Sequence, residues 1–346
     1  MHMADALISP AVGGVMCAAS AGLAVYSARQ LRQQDDDRLI PLMGVTGAFV
    51  FAVQMINFGI PGTGSSGHLG GGLLLAVLLG PHAAFLVMTS ILIIQSLCFA
   101  DGGLLALGCN VFNLGALPCF VAYPLVFRPL VGSSSSYGRL VTASLLAAVA
   151  GLQLGAFGVV LQTVMSGRTE LPFGAFLAMM QPIHLAIGVI EGLATASILG
   201  FLWKARPQLR EAPQTSPSAN VGNARFAWAL LVASVLVGGV LSWFASVHPD
   251  GLEWSIARTT GTTEELAQPS QVARDLTEFQ QQAALLPDYD FRTVDGADTV
   301  EAPSGSWPNV SPGASLSGIV GSLLVLLVAI AVGGMSRLWG TVRTQP

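Results

Sequence analysis

The sequence predicts an all-α polytopic membrane protein: a seven-helix bundle followed by a two-helix module with a large external loop. Three observations carry this. Of the 346 residues, 52% are hydrophobic and only 10% are charged, with a mean hydropathy of +0.65. A soluble domain needs roughly 25% charged residues to solvate its surface. Uncharged stretches exceed the ~18 residues that mark a membrane helix, and Lys and Arg fall in separated clusters. A soluble enzyme and a disordered chain are thereby excluded. The net charge of -4 leaves no basic surface for nucleic acid, so lipid is the expected surrounding.

Apolar runs lie at about residues 7–28, 40–58, 71–100, 103–127, 140–167, 173–203, 226–247 and 316–336. Each is long enough to cross ~30 Å of hydrocarbon at ~1.5 Å per residue. The run at 71–100 contains Gly80-Pro81, and proline removes a helix hydrogen bond and clashes one turn back. It reads as one kinked span or as two elements. Cytoplasmic loops are enriched in Lys and Arg, and this decides between them. With the N-terminus outside and two crossings, Arg29, Arg32, Arg38, Arg128, Arg139, Lys204, Arg206, Arg210, Arg225, Arg337 and Arg343 face the cytoplasm. Only Arg168, Arg258, Arg274 and Arg292 then lie outside. A single crossing flips every later element and leaves seven inside against eight outside. The double crossing is therefore expected, with the C-terminus inside. Residues 71–80 are too short to span, so they borrow from 59–70 or form a shortened element buried in protein.

The proline-containing stretch Pro207 to Asn223 reads as a cytoplasmic linker. The expected domains are thus 1–206, a linker at 207–224, and an accessory module at 225–346. Its external loop, 248–315, holds eleven of the nineteen acidic residues. Within it, Val272, Leu276, Phe279 and Leu286 predict one short amphipathic helix. No long internal repeat is evident, which disfavours an inverted-repeat transporter.

Ionisable side chains within a membrane are costly, so each is a functional candidate. The set is His2, His68, His82, Asp101, His184 and Glu191, with Asn57, Asn110 and Asn113 as polar neighbours. In the expected topology His2 and His68 share the external face, His68 closing a glycine-rich loop that starts at Phe58. A free amino terminus followed by histidine is a chelating unit. The Met1 amine, the His2 amide nitrogen and the His2 imidazole can wrap one metal in adjacent small rings. His68 would add a fourth nitrogen. Nitrogen donors in a square plane suit Ni(II) or Cu(II), and imidazole also accepts Co(II) and Zn(II). No basic stretch of the signal-peptide kind precedes the first apolar run. A bulky second residue also protects an initiator methionine, so Met1 is expected to stay on the chain. The residues alone leave a second reading open, in which Met1-His2 is chance and His68 is an interfacial loop histidine. The loop before His68 likewise fits a mobile lid or a plain flexible connection.

His184 and Glu191, seven apart, lie on one helical face and form either a coupling surface or a satisfied polar pair. Gly188 with Gly192 and Gly151 with Gly155 are small-xxx-small patterns that allow close helix packing. His82, after Pro81, reads as a buried hydrogen-bonding residue, and Asp101, before Gly102-Gly103, as a helix cap in a tight turn. Cys17, Cys98, Cys109 and Cys119 lack CxxC spacing and read as small apolar packers. No Walker A loop, HExxH, nucleophile elbow or EF-hand occurs. Active transport must then draw on an ion gradient or a partner ATPase.

Several motifs occur together and in order: Met1-His2, Ser9-Pro10, Gln54-Met-Ile-Asn-Phe58, Ser66-Gly-His68, Gly80-Pro81, Gln95, Asp101-Gly-Gly103, Leu107-Gly-Cys-Asn110, and His184 with Glu191-Gly192. Over about residues 1–203 the chain resembles the nickel/cobalt substrate-binding membrane component (CbiM/NikM type) of energy-coupling-factor transporters. Residues 226–340, with His248-Pro-Asp-Gly-Leu-Glu-Trp254 and Leu286-Pro-Asp-Tyr-Asp-Phe291, resemble the small PDGLE-type accessory component (CbiN/NikN-like), here fused. The resemblance implies a seven-helix module that takes Ni(II) or Co(II) as transported substrate, without an organic cofactor. It implies Met1, His2 and His68 as metal ligands, with Asn57 behind them in support. It also implies a transmembrane scaffold (T) partner and paired cytoplasmic ATPases, in a bacterial or archaeal cytoplasmic membrane. Fusion to the accessory component tilts the choice toward nickel. The chain departs from the family at Met3-Ala4-Asp5-Ala6, where Ile-Pro-Asp-Gly is frequent. Two alternatives of other classes are an ion-gradient-driven metal transporter and an intramembrane metal-dependent hydrolase with His184 and Glu191 on zinc.

Overall fold

Ser9 starts the first helix. Its backbone is extended and its hydroxyl accepts from the Val12 N–H at 3.3 Å, with Pro10 in the first turn, so α1 (Pro10–Arg32) begins where its free N–H groups find an acceptor. The computed structural model describes residues 2–34, 36, 38–132, 136–205, 224–261, 269–292 and 307–341. Most of the expected linker at 207–224 falls outside the described residues.

After α2 (Leu39–Gln54) the chain forms a small hairpin, β1 (Phe58–Ile60) against β2 (Ser65–Gly67), in antiparallel register with Phe58 opposite Gly67. This is the glycine-rich loop of the sequence, and it is paired rather than free. The expected break at 71–100 is present. Helix α3 (Gly72–Leu79) is followed by Gly80 at φ 79° and then by α4 (Pro81–Phe99) with proline in its first turn. At eight residues α3 is about 12 Å long, and Leu73, Leu75 and Leu79 on it are buried. It is the shortened, protein-buried alternative.

Helix α5 (Leu107–Val131) changes to π geometry over Phe112–Ala116 and Pro118–Phe127. Pro118 and Pro124 cannot donate a backbone hydrogen bond, and the wider turn accommodates them. Next come α6 (Tyr137–Ser166) and α7 (Phe173–Ala205), then α8 (Ala224–Gly239) and α11 (Pro312–Thr341). Between the last two lie α9 (Gly251–Thr260) and α10 (Gln271–Ala283). Among the described residues, the segment at 248–315 therefore holds two α-helices where the sequence pattern suggested one. Leu286, grouped with α10 by spacing, sits beyond its end and is buried.

Six described helices are long and apolar enough to cross a membrane: α1, α4, α5, α6, α7 and α11. The apolar helices α2 and α8 are shorter, at 16 residues each. Large apolar side chains such as Leu125, Met165, Phe201, Trp228 and Leu327 are exposed on the outer faces, as a lipid-facing surface requires. The interior is packed around Phe51, Phe85, Phe99 and Phe176.

Close helix contacts use glycine where backbones meet. A Cβ at Gly192 would sit 2.5 Å from the Leu145 Cα, and one at Gly188 2.9 Å from the Val149 Cα, so this small-xxx-small stripe seats α7 on α6. At Gly321 of α11 a Cβ would meet the Phe51 ring at 2.1 Å, which locks the last helix onto α2. Gly192→Leu should therefore cost about 1–3 kcal/mol of stability through overpacking, read as a lower melting temperature of the detergent-solubilised protein.

Candidate metal centre

The first residues form an arm rather than a frayed end. Met3, Ala6, Leu7 and Ile8 are buried, and Asp5–Leu7 make one turn of 3₁₀ helix before α1. Asn110 clamps the arm by its backbone: Met3 N–H donates to Asn110 Oδ1 at 2.8 Å, and Asn110 Nδ2 donates to the Met3 carbonyl at 3.3 Å. The Gly103 N–H also donates to that carbonyl at 2.9 Å, and Ala106 N–H donates to Asp5 Oδ1 at 3.0 Å. A Cβ at Gly103 would fall within 1.9 Å of Asp5 Oδ1, so glycine is required where the arm crosses. Asp5 thus ties the arm to the turn before α5.

These bonds fix His2, which stacks on His68 with ring centroids 5.1 Å apart and planes 11° from parallel. His2 Nδ1 lies 3.2 Å from Asp101 Oδ1, while His2 Nε2 is buried without a hydrogen-bond partner. His68 follows β2 directly, and its Nδ1 donates to the Leu69 carbonyl at 3.2 Å, which leaves the lone pair on Nε2. Burial pushes the His2 imidazole below its ordinary value. Burial, reinforced by His2, takes His68 down to about 3. Both rings are neutral near pH 7, the form a metal accepts.

The strand of chain behind His68 is held from two helices. Glu191 of α7 accepts from Gly70 N–H at 2.7 Å and Gly71 N–H at 3.2 Å. Gln54 of α2 donates to the Gly70 carbonyl at 2.7 Å and accepts from Gln95 of α4 at 2.9 Å. His184 donates to the Met180 carbonyl at 2.8 Å, and its buried Nε2 has no partner. Glu191 and His184 therefore do not pair with each other. His184 instead lines a cavity shared with Gly67, His68, Asp250 and Gly251.

The PDGLE stretch closes the hairpin from the other side. Ser66 N–H donates to the Pro249 carbonyl and Ser66 Oγ to the His248 carbonyl, both at 2.8 Å. Trp254 Nε1 donates to the Thr63 carbonyl at 2.9 Å. Asp250 caps α9 in a capping box with Glu253. Asn57 takes part through its backbone, its carbonyl accepting from Ser246 N–H at 2.7 Å.

Of the residues singled out by sequence, the structure brings His2 and His68 together, with His184 and Glu191 beneath them. Met1 lies outside the described residues. Asn113 bonds to Gln162 of α6, and His82 stands 3.5 Å from Ser27 Oγ at the far end of α4. Asp101 is not the helix cap expected: its carboxylate faces His2 on one side and accepts from Tyr289 Oη at 2.5 Å on the other. Among the described residues no three His, Cys, Asp or Glu side chains gather to hold a metal, and the four cysteines are unpaired. Among the described residues, a cation bound between His2 and His68 finds no third side chain of this kind in the cluster.

Comparison with known proteins gives two matches along the chain. Residues 2–209 match the cobalt uptake substrate-specific transmembrane region, and residues 224–338 match the PDGLE domain. A putative fused nickel transport protein from Archaeoglobus fulgidus is 30% identical over 337 residues, 97% of this chain and 99% of that one. A fused nickel transport protein from Rhodobacter capsulatus is 32% identical over 68% of this chain and 71% of its own length. A crystal structure described as a transition metal transporter superposes with a TM-score of 0.53 at 28% identity, covering 61% of this chain and 97% of that one.

Glu191→Gln replaces one acceptor of the two glycine amides by a donor and should loosen the His68 segment. A fall of roughly ten-fold in Ni(II) affinity is expected, as for other supporting residues of metal sites, measured by isothermal titration on the full chain.

Proposed function

Since the chain belongs to the CbiM family of nickel and cobalt transport membrane proteins, we propose that it is the substrate-binding subunit of an ATP-driven energy-coupling-factor importer. It is a transporter subunit and not an enzyme. The metal, Ni(II) or Co(II), is captured at the outer face by the Met1 amine, the His2 amide and imidazole, and His68. Nickel is preferred, in line with the fused relatives named for nickel transport. A transmembrane scaffold and cytoplasmic ATPases supply the driving force. The N-terminus lies outside and the C-terminus inside.

The observation that carries this reading is the parallel stack of His2 on His68 at 5.1 Å, two neutral imidazoles at one end of an apolar bundle. Two imidazoles do not complete a coordination shell. Nitrogens on the backbone of residues 1 and 2 are the donors that chelation in adjacent rings would add, and a planar nitrogen set favours Ni(II). Asn57 supports the site through the backbone it shares with the hairpin. The hydrolase alternative loses its acid, because Glu191 is committed to the Gly70 and Gly71 amides.

His2→Ala and His68→Ala should each abolish tight Ni(II) or Co(II) binding in titration calorimetry, whereas His184→Ala should leave it largely intact. One extra residue before Met1 should release the metal from the purified protein; retention would point to histidines alone. For topology, Val272 is 46% exposed on α10. Val272→Cys, in a chain with its native cysteines replaced by alanine, should react with an impermeant maleimide from outside intact cells. Reaction only from the cytoplasmic side would overturn the orientation.

A further inference from the structure

The segment between α8 and α11 reaches the metal-binding imidazole through a side chain that the proposed coordination does not use. Asp101 lies in the turn after α4, with its Oδ1 3.2 Å from His2 Nδ1. Its Oδ2 accepts from the Tyr289 hydroxyl at 2.5 Å. A carboxylate can only accept, so Nδ1 carries the proton in this arrangement.

Tyr289 is directed inward by its backbone and its packing. Asp288 and Tyr289 both take left-handed backbone angles, at φ 52° and 63°, a region bulky side chains enter only when the surroundings hold them. The Tyr289 ring stacks on Phe99 at 4.9 Å and 15°. The same segment fastens the turn that carries Asp101. Gln280 Nε2 donates to the Ser96 and Gly102 carbonyls at 2.8 and 2.7 Å. The Leu285 and Leu286 N–H groups donate to the Cys98 carbonyl at 2.8 and 3.1 Å. The carboxylate is thus held by one module and directed at a histidine of the other.

We propose that Asp101 is the positioning residue of His2 and that Tyr289 sets Asp101, so that the accessory segment acts on the metal-binding imidazole through two hydrogen bonds. This rests on the reading of His2 as a ligand. Chelation in adjacent rings requires Nδ1, because Nδ1 closes a six-membered ring with the His2 amide nitrogen and Nε2 points away. A half-turn of the imidazole about Cβ–Cγ exchanges Nδ1 with Cδ2 and Cε1 with Nε2, and the ring changes tautomer, Nδ1 giving up its proton to water and Nε2 taking one. The edge facing Asp101 then carries Nε2–H, which the same carboxylate accepts, while the freed Nδ1 lone pair turns to the metal. A carboxylate on the far nitrogen fixes the ring and raises the basicity of the ligating one. Tyr289 keeps the carboxylate in place through both states.

The test is Ni(II) titration of the full chain as wild type, Asp101→Asn, Tyr289→Phe, the double variant and His2→Ala. Asp101→Asn should weaken Ni(II) binding about 10–100-fold, the range for carboxylates behind ligating histidines. Tyr289→Phe keeps the ring stacked on Phe99, so the fold is retained, and it should cost several-fold in affinity. That loss should vanish in the Asp101→Asn background, because Tyr289 acts only through Asp101. The ¹⁵N signals of the His2 ring in metal-free protein give a readout that a merely structural role would not move: one tautomer in the wild type, a mixture in Asp101→Asn. If His2→Ala binds Ni(II) as tightly as wild type, the ligand assignment itself fails. If His2→Ala loses binding while Asp101→Asn stays within about two-fold of wild type, or if the two losses simply add, the relay is wrong and the ligand assignment stands.

Discussion

Backbone amides and carbonyls outside a helix must find partners within the protein once water is absent, since each unsatisfied group costs several kcal/mol in an apolar medium. Residues 2–8 and 56–71 are chain outside the α-helices, packed into an otherwise helical bundle, and their placement follows from this constraint. Asn110 answers both polar groups of Met3. Glu191 answers two consecutive glycine amides, and Gln54 answers the Gly70 carbonyl. The hairpin takes its remaining partners from His248 and Pro249. Asn110, Glu191 and Gln54 are thus spent on holding backbone, and the histidines are where the non-helical segments meet.

Two modules therefore build one site. Helix α11 packs against α2, and α8 against α11, through glycine contacts. The segment between them lies along both walls of the histidine pair, with Pro249 beside Ser66 and Tyr289 beside Asp101. A two-helix accessory unit that only steadied the bundle would have no need to thread polar contacts into the end where His2 and His68 stack. The arrangement brings the second family domain to the end of the bundle where His2 and His68 stack. Glu191, a carboxylate in an apolar helix, is tolerated because it receives two amide N–H groups that a neutral residue would leave partly unmet.

Sequence patterning was a good guide to the helices and a partial one to the site. Apolar run length located α1, α2, α4 and α7 closely, and Gly80-Pro81 marked the break that makes α3 a short buried element. The chemistry of an initial Met-His unit singled out His2, and the same reasoning reached for His68 across more than sixty residues. The spacing of His184 and Glu191 suggested a pair, but the two side chains act separately, because a shared helical face says nothing of what lies opposite it. Asp101 looked like a cap because acids before glycine usually are.

Charge scarcity, run length and proline placement fixed the membrane class and the helix inventory, since these depend only on local composition against the thickness of a bilayer. The stack of His2 on His68, the Asp101 bridge to Tyr289 and the Glu191 clamp on Gly70 and Gly71 needed the folded chain. Each joins residues from 66 to 188 positions apart, and such a contact is set by how helices cross and where hairpins dock, neither of which a local pattern encodes.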